Sequence, residues 1–108
     1  MSDYVQKGRF DSMLTIWERR IRVRYRRGLD EDAAYQVERT RAEEALQAGA
    51  GHAGYLYRRL AAASIAAWDA RDPNGQPAVI TAAALDGLPI GDLQRIVREA
   101  TQQGPRDP

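Results

Sequence analysis

The chain has 108 residues, of which 44% are hydrophobic, and its formal net charge is only +1. A chain of this length is expected to form one domain, residues 1–108, with a modest core. The small net charge argues against nucleic-acid binding by the domain as a whole, and the absence of cysteine excludes disulfides and thiolate chemistry. No apolar run is long enough to span a bilayer and no export signal is recognisable, so we expect no membrane association.

The N-terminal quarter is rich in arginine. Residues 1–8 carry no periodic hydrophobic pattern and are expected to be flexible. Residues 9–28 are expected to form either a β-hairpin or an irregular arm. The stretch "IRVRY" alternates apolar and basic residues, which favours the hairpin, although the apolar residues from Phe10 to Tyr25 also fit one helical stripe.

A hairpin would place four arginine side chains on one face, as a candidate site for an anionic partner such as nucleic acid: Arg20, Arg22, Arg24 and Arg26. Each phosphate that such a face neutralises would release counterions. The alternative is a solvated face that keeps the hairpin edge from aggregating. The acidic stretch from Asp30 to Asp32 and the small net charge favour this alternative.

Residues 30–100 are predicted to form a helical core. A first helix begins at Asp30, a suitable N-cap, and runs to about Ala48, where Gly49 ends it. A second helix runs from about Gly54 to Ala70. Its second half is apolar nearly all round, which is typical of a buried helix.

The C-terminal part is predicted from its turn residues. The stretch "DPNG" is typical of a turn, Thr81 opens a short helical turn, and Pro89 suits the first turn of a last helix. Residues 102–108 are expected to be a disordered tail. The predicted fold is therefore mainly α, with three longer helices, one short helical turn and an N-terminal β-hairpin or irregular arm.

No motif indicates catalysis, a cofactor or a metal ion. The string "GAGHAG" matches G-x-G-x-x-G, but a predicted helix precedes it where a dinucleotide site requires a strand. His52 is the only histidine, and a zinc site needs further ligands. The "DPNG" turn resembles a calcium loop superficially, yet Ala70 and Thr81 occupy positions where that loop requires carboxylates. We therefore predict that the protein is not an enzyme.

The most specific feature is the order of residues in "SIAAWDARDPNGQPAVITAAALDGLPIGDLQRIVREA". An apolar segment ends in Trp-Asp and is followed by an Asp-x-x-Gly turn, a Pro and a Thr that opens a short helix. A Leu-Pro pair and a final amphipathic helix complete the order. Over residues 56–98 it resembles the tail assembly chaperones of long-tailed, siphovirus-type bacteriophages. The arginine-rich segment is more basic than this resemblance leads us to expect.

The resemblance implies a mainly helical, non-enzymatic protein that binds the tape measure protein and tail tube subunits during tail morphogenesis. It also implies a homo-oligomer located in the host cytoplasm and absent from the mature virion. Binding a long amphipathic partner requires an apolar groove, for which the candidate residues are Leu56, Tyr57, Leu60 and Trp68. For Trp68 itself a core position is favoured, because large aromatic residues at helix ends more often bury than bind.

Two alternatives remain open. The first is a small structural or connector protein of the phage head–tail junction or neck, which would be retained in the virion. The second is a small nucleic-acid-binding module that uses the arginine-rich segment. A virion proteome tests the first alternative, and a salt titration of DNA binding tests the second.

Overall fold

Three antiparallel strands and three α-helices form the fold, which a computed structural model describes for residues 10–103. The prediction of a mainly α domain with a hairpin arm is wrong, because the hairpin belongs to a three-stranded sheet that contributes to the core. The expectations for residues 1–8 and for 104–108 of the tail lie outside the described residues. At the start of the predicted tail, the side-chain amide of Gln103 donates to the carbonyl oxygen of Glu99 at 2.9 Å.

The hairpin has two faces of different character, as its alternating sequence indicates. Strand β1 (Ser12–Ile16) pairs with strand β2 (Arg19–Tyr25) in antiparallel orientation. Trp17 and Glu18 form the connecting turn with φ values of 55° and 63°, and two positive φ values match the twist of hairpin strands. The inward side chains are at most 5% exposed: Leu14, Ile16, Ile21, Val23 and Tyr25.

The alanine-rich segment differs most from its predicted structure. Helix α2 (Ala53–Ser64) ends before the predicted boundary, and the next four residues form strand β3 (Ile65–Trp68). Strand β3 pairs antiparallel with β2, which gives the sheet order β1-β2-β3. Alanine favours a helix, but pairing with β2 and burial of Ile65 to 4% exposure override that preference.

Contacts from outside α2 explain where this helix ends. The last carbonyl groups of a helix have no partner within it. Here Arg26 supplies two donors: its Nη1 lies 3.2 Å from the carbonyl oxygen of Ala63, and its backbone N lies 2.9 Å from that of Ser64. The Ser64 hydroxyl donates to the carbonyl oxygen of Leu60 and lies 2.7 Å from the hydroxyl of Tyr35. The two bonds from Arg26 satisfy the last two carbonyl groups of α2 and, together with the contact to Tyr35, hold the change from helix to strand.

Helix α1 (Ala33–Gln47) begins two residues later than its predicted cap suggests. The Asp32 carboxylate, not that of Asp30, accepts a hydrogen bond from the backbone N–H three residues later, at 3.0 Å. Asp30 lies instead in a 3-10 turn, Leu29–Glu31, whose first residue is buried. The other end agrees with the prediction, since Gly49 has a φ of 70° and takes the left-handed cap conformation.

The C-terminal part contains the predicted elements. In the "DPNG" turn, the Asp72 carboxylate accepts from two backbone N–H groups at 2.9 and 3.0 Å. A short 3-10 helix, Ala83–Leu85, follows the predicted cap Thr81, whose hydroxyl accepts from the backbone N–H of Ala84 at 3.2 Å. Helix α3 (Ile90–Thr101) begins directly after a proline and buries its apolar stripe.

The helices pack against one face of the sheet, and the side chains on its other face are exposed or half-buried. Buried residues from all three strands and all three helices form one hydrophobic cluster beneath the covered face. The outward side chains of β1 and β2 are exposed or half-buried: Met13, Thr15, Arg20, Arg22 and Arg24. Within residues 10–103 no helix has the length and apolar character needed to cross a bilayer.

Candidate interaction surfaces

The four predicted partner-binding residues contribute mainly to the core. Leu56, Tyr57 and Leu60 are 9%, 4% and 3% exposed. Trp68 is half-buried against the core, and its indole N–H donates to the carbonyl oxygen of Ala78 at 2.9 Å. Their binding role stays a prediction. A substitution at any of the first three would damage the core as well as a binding surface, so it cannot serve as a specific test.

Two of these residues also form the floor of a cleft between α1 and α2, which we call the α1–α2 cleft. Its volume is about 220 Å³. The floor is formed by Tyr35, Leu56 and Leu60. Two exposed alanines with small side chains, Ala34 and Ala63, line its sides. The rim carries two arginine and two acidic residues: Arg26, Arg59, Asp32 and Glu38. The cleft therefore has an apolar floor and carries charges of both signs on its rim.

The floor of the α1–α2 cleft offers no unsatisfied polar group. The Tyr35 hydroxyl is hydrogen-bonded to Ser64, and burial raises the pKa of Tyr35, which keeps the phenol neutral. Within the described part of the chain, every buried side-chain nitrogen or oxygen has a hydrogen-bond partner. Because buried polar ligand groups need partners, this floor suits apolar side chains better than a polar small molecule.

An exposed aromatic and cationic cluster lies beside the rim. Tyr55 is 51% exposed, and the guanidinium carbons of Arg58 and Arg59 lie 5.8 and 5.9 Å from the centre of its ring. These distances are within cation–π range. Arg59 was not among the predicted binding residues. The sequence holds a signal for the cluster, because two tyrosines two residues apart on a helix cannot both face the core.

Three of the four predicted arginine side chains share the outward side of β2: Arg20, Arg22 and Arg24, which we call the arginine face. Arg26 follows the strand and binds the end of α2 instead. Arg22 is also occupied within the molecule, since its Nε lies 2.7 Å from a carboxylate oxygen of Asp69. Its guanidinium lies 5.9 Å from the ring centre of Phe10. The arginine face thus presents less unpaired charge than the sequence suggests, and its role toward an anionic partner stays a prediction.

The Trp-Asp pair has a structural role. The Asp69 carboxylate accepts from the backbone N and from Nε of Arg22, at 2.8 and 2.7 Å. Its own backbone N donates to the carbonyl oxygen of Arg22 at 3.2 Å. The Trp68 indole holds the following loop through Ala78. Both side chains therefore fix the corner after β3, and their polar groups are already engaged.

Two ionisable groups with shifted pKa values, Tyr25 and Glu99, meet between the sheet and α3. The Tyr25 hydroxyl donates to Oε1 of Glu99 at 3.0 Å, and burial raises the pKa of Tyr25. Burial also acts to raise the pKa of Glu99, but hydrogen bonds from Arg95, Ser12 and Tyr25 outweigh it and lower that pKa. This network connects α3 to the hairpin and has the character of a structural ion pair.

No arrangement in residues 10–103 indicates metal or dinucleotide binding. This part of the chain holds no group of three or more His, Cys, Asp or Glu placed to bind a metal ion. His52 is exposed at the start of α2. The "GAGHAG" string connects two helices, so the strand that a dinucleotide motif requires does not precede it.

Comparisons with protein-family models, with curated proteins and with solved structures give no match for this chain. The surfaces described above and the order of residues in the sequence therefore carry the information about function. Of the two surfaces, only the α1–α2 cleft combines an apolar floor with exposed side chains at its border.

Proposed function

We propose that this chain is a non-catalytic protein-binding domain that acts in the tail assembly of a long-tailed bacteriophage. In this role it binds the tape measure protein and tail tube subunits in the host cytoplasm and is absent from the mature virion. The resemblance over residues 56–98 supports the assembly role. The α1–α2 cleft is the single observation that carries the protein-binding part of the proposal.

The apolar floor and charged rim of the cleft suit one or two apolar side chains from an amphipathic helix of the partner. Such a helix buries an apolar stripe in a groove and keeps its charged residues at the border. Here Leu56 and Leu60 would contact the stripe, while Arg59 and Glu38 would contact acidic and basic residues beside it. The exposed ring of Tyr55 adds contact area at the rim, where tyrosine and arginine commonly contribute most to binding.

Co-expression with the tape measure protein of the same phage tests the proposal. We expect this chain to increase the soluble fraction of that partner and to co-purify with it. Arg59→Glu should reduce the recovered complex by about tenfold or more, which corresponds to about 1.4 kcal/mol, because it places like charges together where the partner is acidic. Arg98→Glu makes the same charge change on an exposed position of α3 and should have no such effect.

Two results would count against the proposal. The first is a partner whose solubility is independent of this chain. The second is an equal loss of complex with Arg59→Glu and Arg98→Glu, which would indicate a general charge effect. The connector alternative predicts in addition that the chain is found in purified virions by mass spectrometry, whereas the proposed function predicts its absence there.

A further inference from the structure

The outer edge of strand β1 is a potential pairing surface separate from the α1–α2 cleft and the arginine face. Strand β1 lies at one end of the sheet order, and no strand within residues 10–103 pairs with its outer side. An edge strand presents a row of unpaired backbone groups that can pair with another strand.

The backbone N–H and C=O groups of Met13 and Thr15 point away from β2. The carbonyl oxygen of Val23 accepts from the N–H of Asp11 at 2.9 Å, on the β1 side of β2. Ile21 lies two residues before Val23, so its backbone groups face the same side of β2. The β1 residue opposite Ile21 is the one between Met13 and Thr15. Because hydrogen bonding alternates along an antiparallel strand, the residues on either side of that position direct their backbone groups to the free edge.

Strand β1 itself lacks three features that commonly protect edge strands. Such strands commonly carry lysine or other charges, a proline or a β-bulge. The β1 sequence "SMLTI" has no charged residue and no proline, and its pairing with β2 has no shift in register. Two large apolar side chains flank the strand and are exposed, Phe10 to 39% and Trp17 to 42%.

We propose that β1 pairs antiparallel with β1 of a second copy of this chain, about a two-fold axis at Leu14. The two sheets then form one continuous six-stranded sheet. Met13 of each copy lies opposite Thr15 of the other, and these two pairs exchange four backbone hydrogen bonds. Leu14 lies opposite Leu14 of the second copy, in a position without backbone bonds where side chains approach closely.

The charge pattern favours a second copy as the occupant of this edge. Every cross-strand pair from Ser12 to Ile16 in this register is uncharged. The arginine faces of the two copies lie three strand spacings apart, roughly 14 Å, which exceeds the screening length of about 8 Å at physiological salt. The register also brings Phe10 of one copy near Trp17 of the other, so exposed apolar area is buried at both ends of the seam.

The inference does not depend on the proposed function, because the cleft and the β1 edge share no residue. The contact is small, so the dimer should be weak, with a dissociation constant on the order of micromolar or above.

Disulfide trapping tests the register, since the chain contains no cysteine. Met13→Cys and Thr15→Cys are prepared separately, mixed in equal amounts and oxidised mildly. In the proposed register the two introduced cysteines face each other at about 5.5 Å between Cα atoms, within disulfide range. Each variant alone would place its own pair roughly 8–9 Å apart, too far for a disulfide.

We expect the mixed sample to give at least about fivefold more covalent dimer than either variant alone, given the geometric limits on disulfide formation. A mixture of Thr15→Cys with Ala66→Cys, an exposed position of β3, measures random collision. A yield from the Met13→Cys and Thr15→Cys mixture no higher than this control would overturn the proposal.

Sedimentation at increasing concentration tests the association without cross-linking. The wild-type chain should shift toward a dimer, and Thr15→Pro should raise the dissociation constant by at least about tenfold, because two outward N–H donors are lost. The ladder with β2 does not use that N–H, and equal melting temperatures would verify the fold. Thr15→Val keeps the donor and should dimerise like the wild type. A wild-type chain that is monomeric up to about 1 mM contradicts the inference.

Discussion

The α1–α2 cleft and the arginine face differ in how their charged groups are used. The cleft has an apolar floor, and Arg59 on its rim stands beside an exposed tyrosine. The arginine face is a sheet surface on which Arg22 is bound by Asp69 at 2.7 Å. The dense run of arginine in the sequence suggests a binding site, yet several of those side chains are bound to other parts of the same molecule. The α1–α2 cleft is the better candidate for partner binding because it combines an apolar floor with an exposed charged residue on its rim.

The largest expected effect concerns the floor of the cleft, which is also core. Leu60→Ala should lower the free energy of unfolding by about 2–4 kcal/mol, since Leu60 is 3% exposed and its loss leaves a cavity. Urea unfolding measures this change. Arg59→Ala, at the neighbouring exposed position, should change stability by less than about 0.5 kcal/mol. A neutral Leu60→Ala would show that the floor is not packed as described.

A second effect concerns the hydrogen bond beneath the cleft. Ser64→Ala removes the partner of the buried Tyr35 hydroxyl, 2.7 Å away, and should cost about 1–3 kcal/mol. Adding Tyr35→Phe removes the orphaned hydroxyl and should recover part of that loss. A double-mutant cycle on urea unfolding measures the coupling. If the double variant loses the sum of the unfolding free energies that the two single variants lose, the two hydroxyls do not interact.

The arginine face can be altered through its intramolecular partner. Asp69→Ala removes two hydrogen bonds to Arg22 and should cost about 1–2 kcal/mol of unfolding free energy. Asp86→Ala removes only a long ion pair, 3.9 Å, between the exposed Asp86 and the half-buried Arg58, and should cost well under about 1 kcal/mol. Thermal and urea unfolding of both variants provides the comparison.

The same variant tests the alternative that the arginine face binds nucleic acid. Asp69→Ala releases Arg22 and makes the arginine face more positive. If that face binds DNA, affinity at low salt should increase in Asp69→Ala and fall steeply as salt is added. Our account expects no salt-dependent DNA binding by the wild-type chain, and a steep salt dependence there would favour the alternative.

The smallest expected effect is a pH dependence on the covered side of the sheet. Hydrogen bonds lower the pKa of Glu99 below its ordinary value of 4.5. Its stabilising contribution is therefore complete above about pH 4.5 and is lost as pH falls through the lowered pKa. Glu99→Gln should flatten the fall in stability over this acidic window, as measured by urea unfolding at a series of pH values. Equal slopes for both chains would show that another carboxyl group is responsible.

The hairpin could be predicted from the sequence because its information is local. Inward apolar and outward basic residues alternate along β2, and its partner strand lies only a two-residue turn away. The connecting residues Trp17 and Glu18 are not typical of a turn with positive φ. The alternation alone therefore indicated the pairing, and the turn sequence did not contribute.

Strand β3 could not be predicted because its causes are distant. The sequence "IAAW" continues an alanine-rich helix by propensity, and its pairing partner β2 lies some forty residues earlier. The donors from Arg26 that end α2 are equally remote. For the same reason the sequence predicts only part of the candidate site. Helical periodicity identified Leu56 and Leu60, whereas the cleft requires the side chains of α1 beside them.

Calorimetric titration with a helical segment of the tape measure protein tests the central claim most directly. Two charge reversals are compared with the wild-type chain: Arg59→Glu on the rim of the cleft and Arg20→Glu on the arginine face. Both positions are exposed and both changes alter the net charge equally. The account predicts that Arg59→Glu weakens binding by about tenfold or more, while Arg20→Glu changes it by less than about twofold. The opposite order, or no binding by the wild-type chain, would contradict it.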